Sequence, residues 1–178
     1  SVTQYAQWTL KTDGGANWTQ RSNATWAARG RHSNALPSFD GKLWVIGGGT
    51  SDVAPGSRDY YNDTWSFDGT TWVQVQADGI ATWTKRQYHT VLAFDSKLWV
   101  INGFGDVVTQ TNIGDCWSSP DGITWTEQTI TPWRTSHADA MWAMSDRIIN
   151  AGGNGDIGQP SDEGDGLVFS ITRNGVVP

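Results

Sequence analysis

The chain is 178 residues long and carries a formal net charge of −6, with 12 tryptophans, 21 glycines and only 17% charged side chains. An acidic chain without a run of Lys or Arg is a poor match for nucleic acid or an anionic membrane, and no apolar stretch reaches the roughly 20 residues of a spanning helix. Cys116 is the single cysteine, so the chain can build neither an intrachain disulfide nor a thiolate metal cluster.

Taken in chain order, the sequence repeats one pattern. Residues 1–25 carry Trp8 and Trp18 and read as the third and fourth strands of a preceding unit. Residues 26–79 hold a full unit, which opens on Trp26, Arg29 and His32. Asp40-Gly41 is a hairpin signal ahead of the strand Lys42-Leu43-Trp44-Val45-Ile46, which Gly47-Gly48 ends. Asn62-Asp63-Thr64-Trp65 leads into a third strand over 64–67, and Asp68-Gly69 turns the chain into a fourth from Trp72 to Val75. Residues 80–132 repeat the order with Trp83, Arg86, His89, Asp95-Ser96, the strand Lys97 to Ile101, Asn102-Gly103, Asp115-Cys116-Trp117, and Asp121-Gly122 before Trp125. Residues 133–178 hold a degraded copy with Trp133, Arg134, His137, a strand ending at Gly152-Gly153, and Phe169 in place of the third-strand tryptophan. Its fourth strand is expected to be missing.

The period is about 50 residues, room for four short strands and their turns, and a fixed period of this size means stacked identical units. No segment shows a helical period. The tryptophans fall into columns, once per unit, as expected of flat side chains that fill the space between stacked sheets.

Arg-x-x-His, the glycine pairs, Asn-Asp-x-Trp and the fourth-strand tryptophans together resemble kelch repeats, in particular bacterial and phage kelch-like propellers. The family shares its scaffold with the central domain of galactose oxidase. The resemblance covers nearly the whole chain. It implies an all-β fold, a β-propeller of four-stranded antiparallel blades, with just over three blades in this chain. Asn102-Gly103 departs from the glycine pair. A closed propeller needs at least four blades, so the ring is expected to be completed by blades from a longer chain or from homo-oligomer copies joined head to tail. The resemblance implies no activity, since most such propellers are binding modules.

The Arg-x-x-His units (Arg29, His32; Arg86, His89; Arg134, His137) invite a reading as a catalytic or metal-binding ring. Their recurrence once per unit favours a structural role instead, together with Gly47, Gly48, Trp65, Trp72, Trp117, Trp125, Gly152 and Gly153. Tyr88-His89 looks like part of a copper-oxidase ligand set. That chemistry also needs a Tyr–Cys crosslink and further ligands, and a copper oxidase is rejected. Ser119 to Trp125 looks like the Asp box of sialidase-type propellers, which is a structural turn. A carbohydrate-active enzyme whose catalytic residues lie mostly outside this segment stays as the alternative. The acidic stretch Asp156, Asp162, Glu163 and Asp165 offers oxygen ligands to calcium but lacks the spacing of a dedicated loop. No cofactor is called for.

In kelch folds the connections after the second and fourth strands share one face. Here those are residues 49–61, 104–114 and 154–164, and residues 19–28, 76–85 and 127–132. That face is expected to gather Arg58, Tyr60, Tyr61, Trp83, Lys85 and Tyr88, aromatics and cations suited to a glycan or a protein partner. The expected function is a non-catalytic recognition or structural module, extracellular or on a virion or cell surface.

Overall fold

The computed structural model describes residues 23–30, 36–50, 59–105, 111–129, 135–155, 168–172 and 175–177. Among them lie fifteen β-strands and no helix, arranged as antiparallel sheets. The fold is all-β, and no described helix is long and apolar enough to cross a membrane.

The second sheet shows the unit most plainly. Thr90–Phe94, Lys97–Ile101, Cys116–Ser119 and Thr126–Glu127 form a meander in which each strand pairs with the one before it. The first sheet has seven strands. Ser38–Phe39, Lys42–Gly49, Tyr60–Phe67 and Trp72–Gln76 form its meander. The short strands Arg86–Gln87, Phe104–Gly105 and Thr111–Asn112, which lie before and within the second meander in sequence, extend it beyond Tyr60–Phe67. The hairpins that open the two meanders are equivalent. Asp40 and Gly41 have φ of 49° and 68°, and Asp95 and Ser96 have 50° and 56°. Two successive left-handed residues make the turn whose twist matches the flanking strands, which is why Asp-Gly and Asp-Ser stand there.

Two expectations about strands are corrected. The third strand of the first sheet starts at Tyr60, not Thr64, because the ladder continues past a bulge at Gly47: Gly48 pairs with Tyr61 and Gly49 with Tyr60. The third sheet is also not short of a strand. Met141–Ala143, Arg147–Ala151 and Val168–Thr172 are joined by Gly175–Val177, which pairs antiparallel with Val168–Thr172. That strand lacks the tryptophan that marks its counterparts, and the hairpin dipeptide Asn174-Gly175 is its only sequence signal.

Alternation along the strands of the second sheet sends neighbouring side chains to opposite faces. Val91, Leu98, Val100 and Trp125 pack with Trp44, Ile46 and Trp83 on one side. Leu92, Phe94, Trp99, Ile101 and Cys116 pack with Met141, Ile148 and Ile171 on the other. The middle sheet is therefore buried on both faces between its neighbours, and burying each such side chain contributes about 1.5–3 kcal/mol. The second-strand tryptophans repeat to within fractions of an ångström. The Trp44 indole N–H donates to the Phe39 carbonyl at 2.9 Å, and that of Trp99 to Phe94 at 2.8 Å.

Candidate functional site

The repeated polar residues hold the sheets together. The Arg29 guanidinium grips Asp63 with both arms, one bond being Nη2 to Oδ2 at 3.0 Å, and Nη1 also donates to the Gly47 carbonyl. Arg86 grips Asp115 in the same way, with Nη2 to Oδ2 at 2.9 Å and Nη1 to the Asn102 carbonyl. The indole N–H groups of Trp65 and Trp117 donate to those same carboxylates, each at 2.8 Å. Asp-x-Trp thus places an acceptor and a donor two residues apart on one side of a strand, and the arginine two strands away neutralises the acceptor. Trp26 meets Trp72 edge-on at 5.6 Å, and Trp83 meets Trp125 at 5.8 Å. Asn62 holds the connection that delivers Trp83: its amide donates to the Trp83 carbonyl and accepts from the Gly79 N–H. His89 Nε2 donates to the Ile46 carbonyl of the preceding sheet at 2.8 Å.

The third copy does not follow its apparent motif. Gly30 bridges Gly49, Gln87 pairs with Phe104, and His137 bridges Asn154. These three pairs stand in the same place beside the glycine turns, so His137 is the counterpart of Gln87 and not of His89. The backbone agrees: Tyr88 and Ala138, the next residues, are both left-handed, with φ of 54° and 56°. The counterpart of His89 is Asp139, and that of Arg86 is Ser136. A side-chain carbon on Gly103 would strike His89, and one on Gly153 would strike Asp139. The reading of His137 as a third repeat histidine is therefore corrected. Strand register is set by the glycine turn and the ladder, and a three-residue spacing cannot report it. Asp139 accepts from the Asn102 amide at 3.0 Å and from the Ser136 hydroxyl, which joins the second and third sheets by a buried polar network.

Of the residues expected on a binding face, the structure takes several inside. Tyr60 is 4% exposed and Trp83 1% exposed, so neither offers a ring to a ligand. Trp83 fills the space between the first two sheets, and the bulge draws Tyr60 into the ladder. Tyr61 is half-buried under the Arg29 guanidinium, 3.8 Å above its ring, and burial pushes its hydroxyl pKa up. Lys85 forms a surface ion pair with Asp78. Tyr88 alone stands in an open aromatic setting. Gly47, Gly48, Gly152 and Gly153 all have positive φ in the turns after the second strands. His32, Arg58, Arg134, Asp156, Asp162, Glu163 and Asp165 lie outside the described residues.

That setting sits at the junction of the second and third sheets. The His137 ring lies 5.6 Å from the Tyr88 ring and 5.3 Å from the Phe104 ring. Its Nδ1–H donates to Asn112 Oδ1 at 2.5 Å, and its Nε2 faces the Asn154 amide at 3.4 Å. Asn112 Oδ1 can only accept, so His137 Nδ1 carries a hydrogen in this contact. At the first junction the same place is held by Gln87, which donates to the Tyr60 hydroxyl at 3.4 Å. There Gln87 is 1% exposed, and Gly49 stands where Phe104 stands here. The first junction is shut; the second is half-open, with Tyr88, Phe104, His137 and Asn112 partly exposed and Asn154 exposed. Sequence reasoning missed Phe104, Asn112 and Asn154, whose only signal is that they break the repeat.

No family model and no curated protein matches the chain. The solved structure of YjhT is similar to it, with a TM-score of 0.69 at 17% identity over 89% of this chain and 52% of that one. The chain spans about half the length of the structure it matches. At that identity the likeness speaks for the fold alone.

The described titratable groups near these junctions are committed to structure. Asp63 and Asp115 are held by arginines. Burial pushes Asp139 above the usual carboxylate range, against the opposing pull of Ser136 and Asn102. Burial also pushes the Cys116 thiol far up, which keeps it protonated and unreactive. In the fourth-strand turns, the backbone N–H groups of Thr71 and Thr70 hold Asp68 below its usual range. Burial raises Asp121, but the N–H groups of Thr124 and Ile123 outweigh it and leave the carboxyl low. Among the described residues, the arrangement offers aromatic rings and amide hydrogen-bonding groups to a ligand.

Proposed function

We propose that the three sheets are successive four-stranded blades of a kelch-like β-propeller, and that the chain is a non-catalytic recognition module. It acts outside the cell or on a virion or cell surface and binds a glycan or a protein. Its ring is completed by blades from a longer chain or from further copies. One observation carries the binding reading. The junction of the second and third sheets abandons the repeat and leaves Tyr88, Phe104 and His137 half-open beside two amides. Positions that break a repeat without a packing gain are where function is expected.

The experiment is retention of wild type, Tyr88→Ala and Phe104→Leu on arrays of immobilised glycans and of purified proteins, with thermal unfolding as the fold control. Retention that falls at least tenfold in both variants at unchanged melting temperature supports the site. Retention indifferent to both variants sinks it, and turnover of a bound glycan sinks the non-catalytic reading.

A further inference from the structure

We infer that the open junction takes a neutral sugar ring, stacked on Tyr88 and Phe104 and hydrogen-bonded by Asn112 and Asn154. The inference rests on the recognition reading above and narrows its ligand. His137 touches both other rings, with centroids 5.6 Å and 5.3 Å from its own. Three rings gathered about one histidine make an aromatic cluster on the scale of one or two pyranoses. It is far smaller than the roughly 800 Å² per partner that a stable protein interface covers. Compact sites of this kind pair aromatic walls with a few polar groups that fix orientation.

The polar groups point to hydroxyls. An amide offers both a donor and an acceptor in one plane, and a vicinal diol needs both. Asn112 already turns its oxygen to His137 Nδ1 and its N–H to the Asn154 carbonyl at 3.4 Å. That long bond and the 3.4 Å contact of the Asn154 amide with His137 are weak enough for a ligand hydroxyl to replace. The five residues include no Lys, Arg, Asp or Glu. Among the described residues, Arg86 and Asp115 satisfy each other, with the Arg86 side chain fully buried. The chain's net charge of −6 further opposes a phosphate or carboxylate ligand. Tyr88 is held in the left-handed region at φ 54°, and its carbonyl accepts from the Ala138 N–H at 2.8 Å. The backbone therefore fixes where the ring stands before any ligand arrives.

The first junction supplies the design of the test. Asn112→Tyr combined with His137→Gln installs the pair that closes the first junction, Tyr60 with Gln87. Wild type, this double variant, Phe104→Leu and the off-site control Val73→Ser, at an exposed residue of the strand Trp72–Gln76, are compared on one array. It carries neutral cello-, xylo-, malto- and chito-oligosaccharides beside sialylated glycans and polyuronates, with the protein array run in parallel. The expected result is retention of a neutral class by wild type and Val73→Ser, falling at least tenfold in Phe104→Leu and lost in the double variant. Retention of acidic glycans alone overturns the neutral-sugar inference. So does variant-sensitive retention on proteins with none on glycans, which leaves the recognition reading standing. No variant-sensitive retention on either array overturns both.

Discussion

Asp139 occupies in the third sheet the place that His89 occupies in the second, each following a left-handed residue and each crowding the glycine opposite. The two meet the preceding sheet with opposite chemistry. His89 donates to a backbone carbonyl, whereas Asp139 accepts from the Asn102 side chain. Asn102 is itself the residue that replaces the first glycine of the turn, at φ 54°. The substitutions at 102 and 139 thus form one exchange, in which a left-handed Asn tolerated by the turn supplies the amide that a buried carboxylate requires.

A pH dependence follows from Asp139. Burial raises its folded value above the unfolded one, so the native state binds the proton more tightly. The stability it contributes is full below the ordinary carboxylate value and is lost as pH rises through the raised value. Asp139→Asn cannot titrate, so its melting temperature is expected to lack that decline. Melting curves of both proteins across the acid range check this, and parallel profiles would sink it.

The two arginine clamps are expected to differ in worth. Arg29 and Asp63 side chains are 2% and 4% exposed, whereas Asp115 keeps 22% exposure opposite Arg86. Removing one partner of a fully buried pair strands the other charge and costs about 3–5 kcal/mol. Water reaches the second clamp and softens the loss toward about 1.5–3 kcal/mol. Arg29→Met, which strands the buried Asp63, should therefore destabilise more than Arg86→Met, which strands the partly exposed Asp115, in urea unfolding, and the reverse order would contradict the burial argument.

What could be read from the sequence was local. Asp40-Gly41 and Asp95-Ser96 gave the hairpins because turn chemistry acts over two residues. The columns of Trp44 with Trp99 and Trp65 with Trp117 gave the stacked repeat. What escaped was long-range. The partners of Arg29 and Arg86 lie 34 and 29 residues away. His137 imitates a repeat histidine by spacing, while the ladder beside Gly152 puts it two positions out of step. Tyr60 reads as a loop residue because a bulge at Gly47 lets its strand run on. The open junction showed no motif at all, since it consists of departures from one.

Gly69 and Gly122 make an internal comparison. Both sit at positive φ, 98° and 75°, in equivalent Asp-Gly turns. A side-chain carbon at Gly69 meets nothing within 4 Å, but one at Gly122 would lie 2.5 Å from a Trp44 ring carbon of the preceding sheet. Alanine at either position costs about 1–2 kcal/mol for the left-handed backbone. Gly122→Ala should lose a further roughly 1–3 kcal/mol from overpacking. Denaturant midpoints of the two variants read the difference directly, and equal midpoints would mean that the turn does not press on Trp44.

Leu92 and Trp142 share a position on the first strands of the second and third sheets, since Leu92 pairs with Trp99 and Trp142 with its counterpart Ile149. Leu92 is 7% exposed because the third sheet covers it, whereas Trp142 is 57% exposed and Met144 beside it 53%. Leu92→Ala should cost about 2–5 kcal/mol. Trp142→Ser should change the stability of the separate chain by less than about 0.5 kcal/mol, because little packing is lost. A contiguous apolar face is a place of association. Wild type is therefore expected to self-associate with rising concentration in sedimentation velocity, and Trp142→Ser to do so less. A destabilisation as large as that of Leu92→Ala, in a chain that sediments as a monomer, would mean that this face is covered from within.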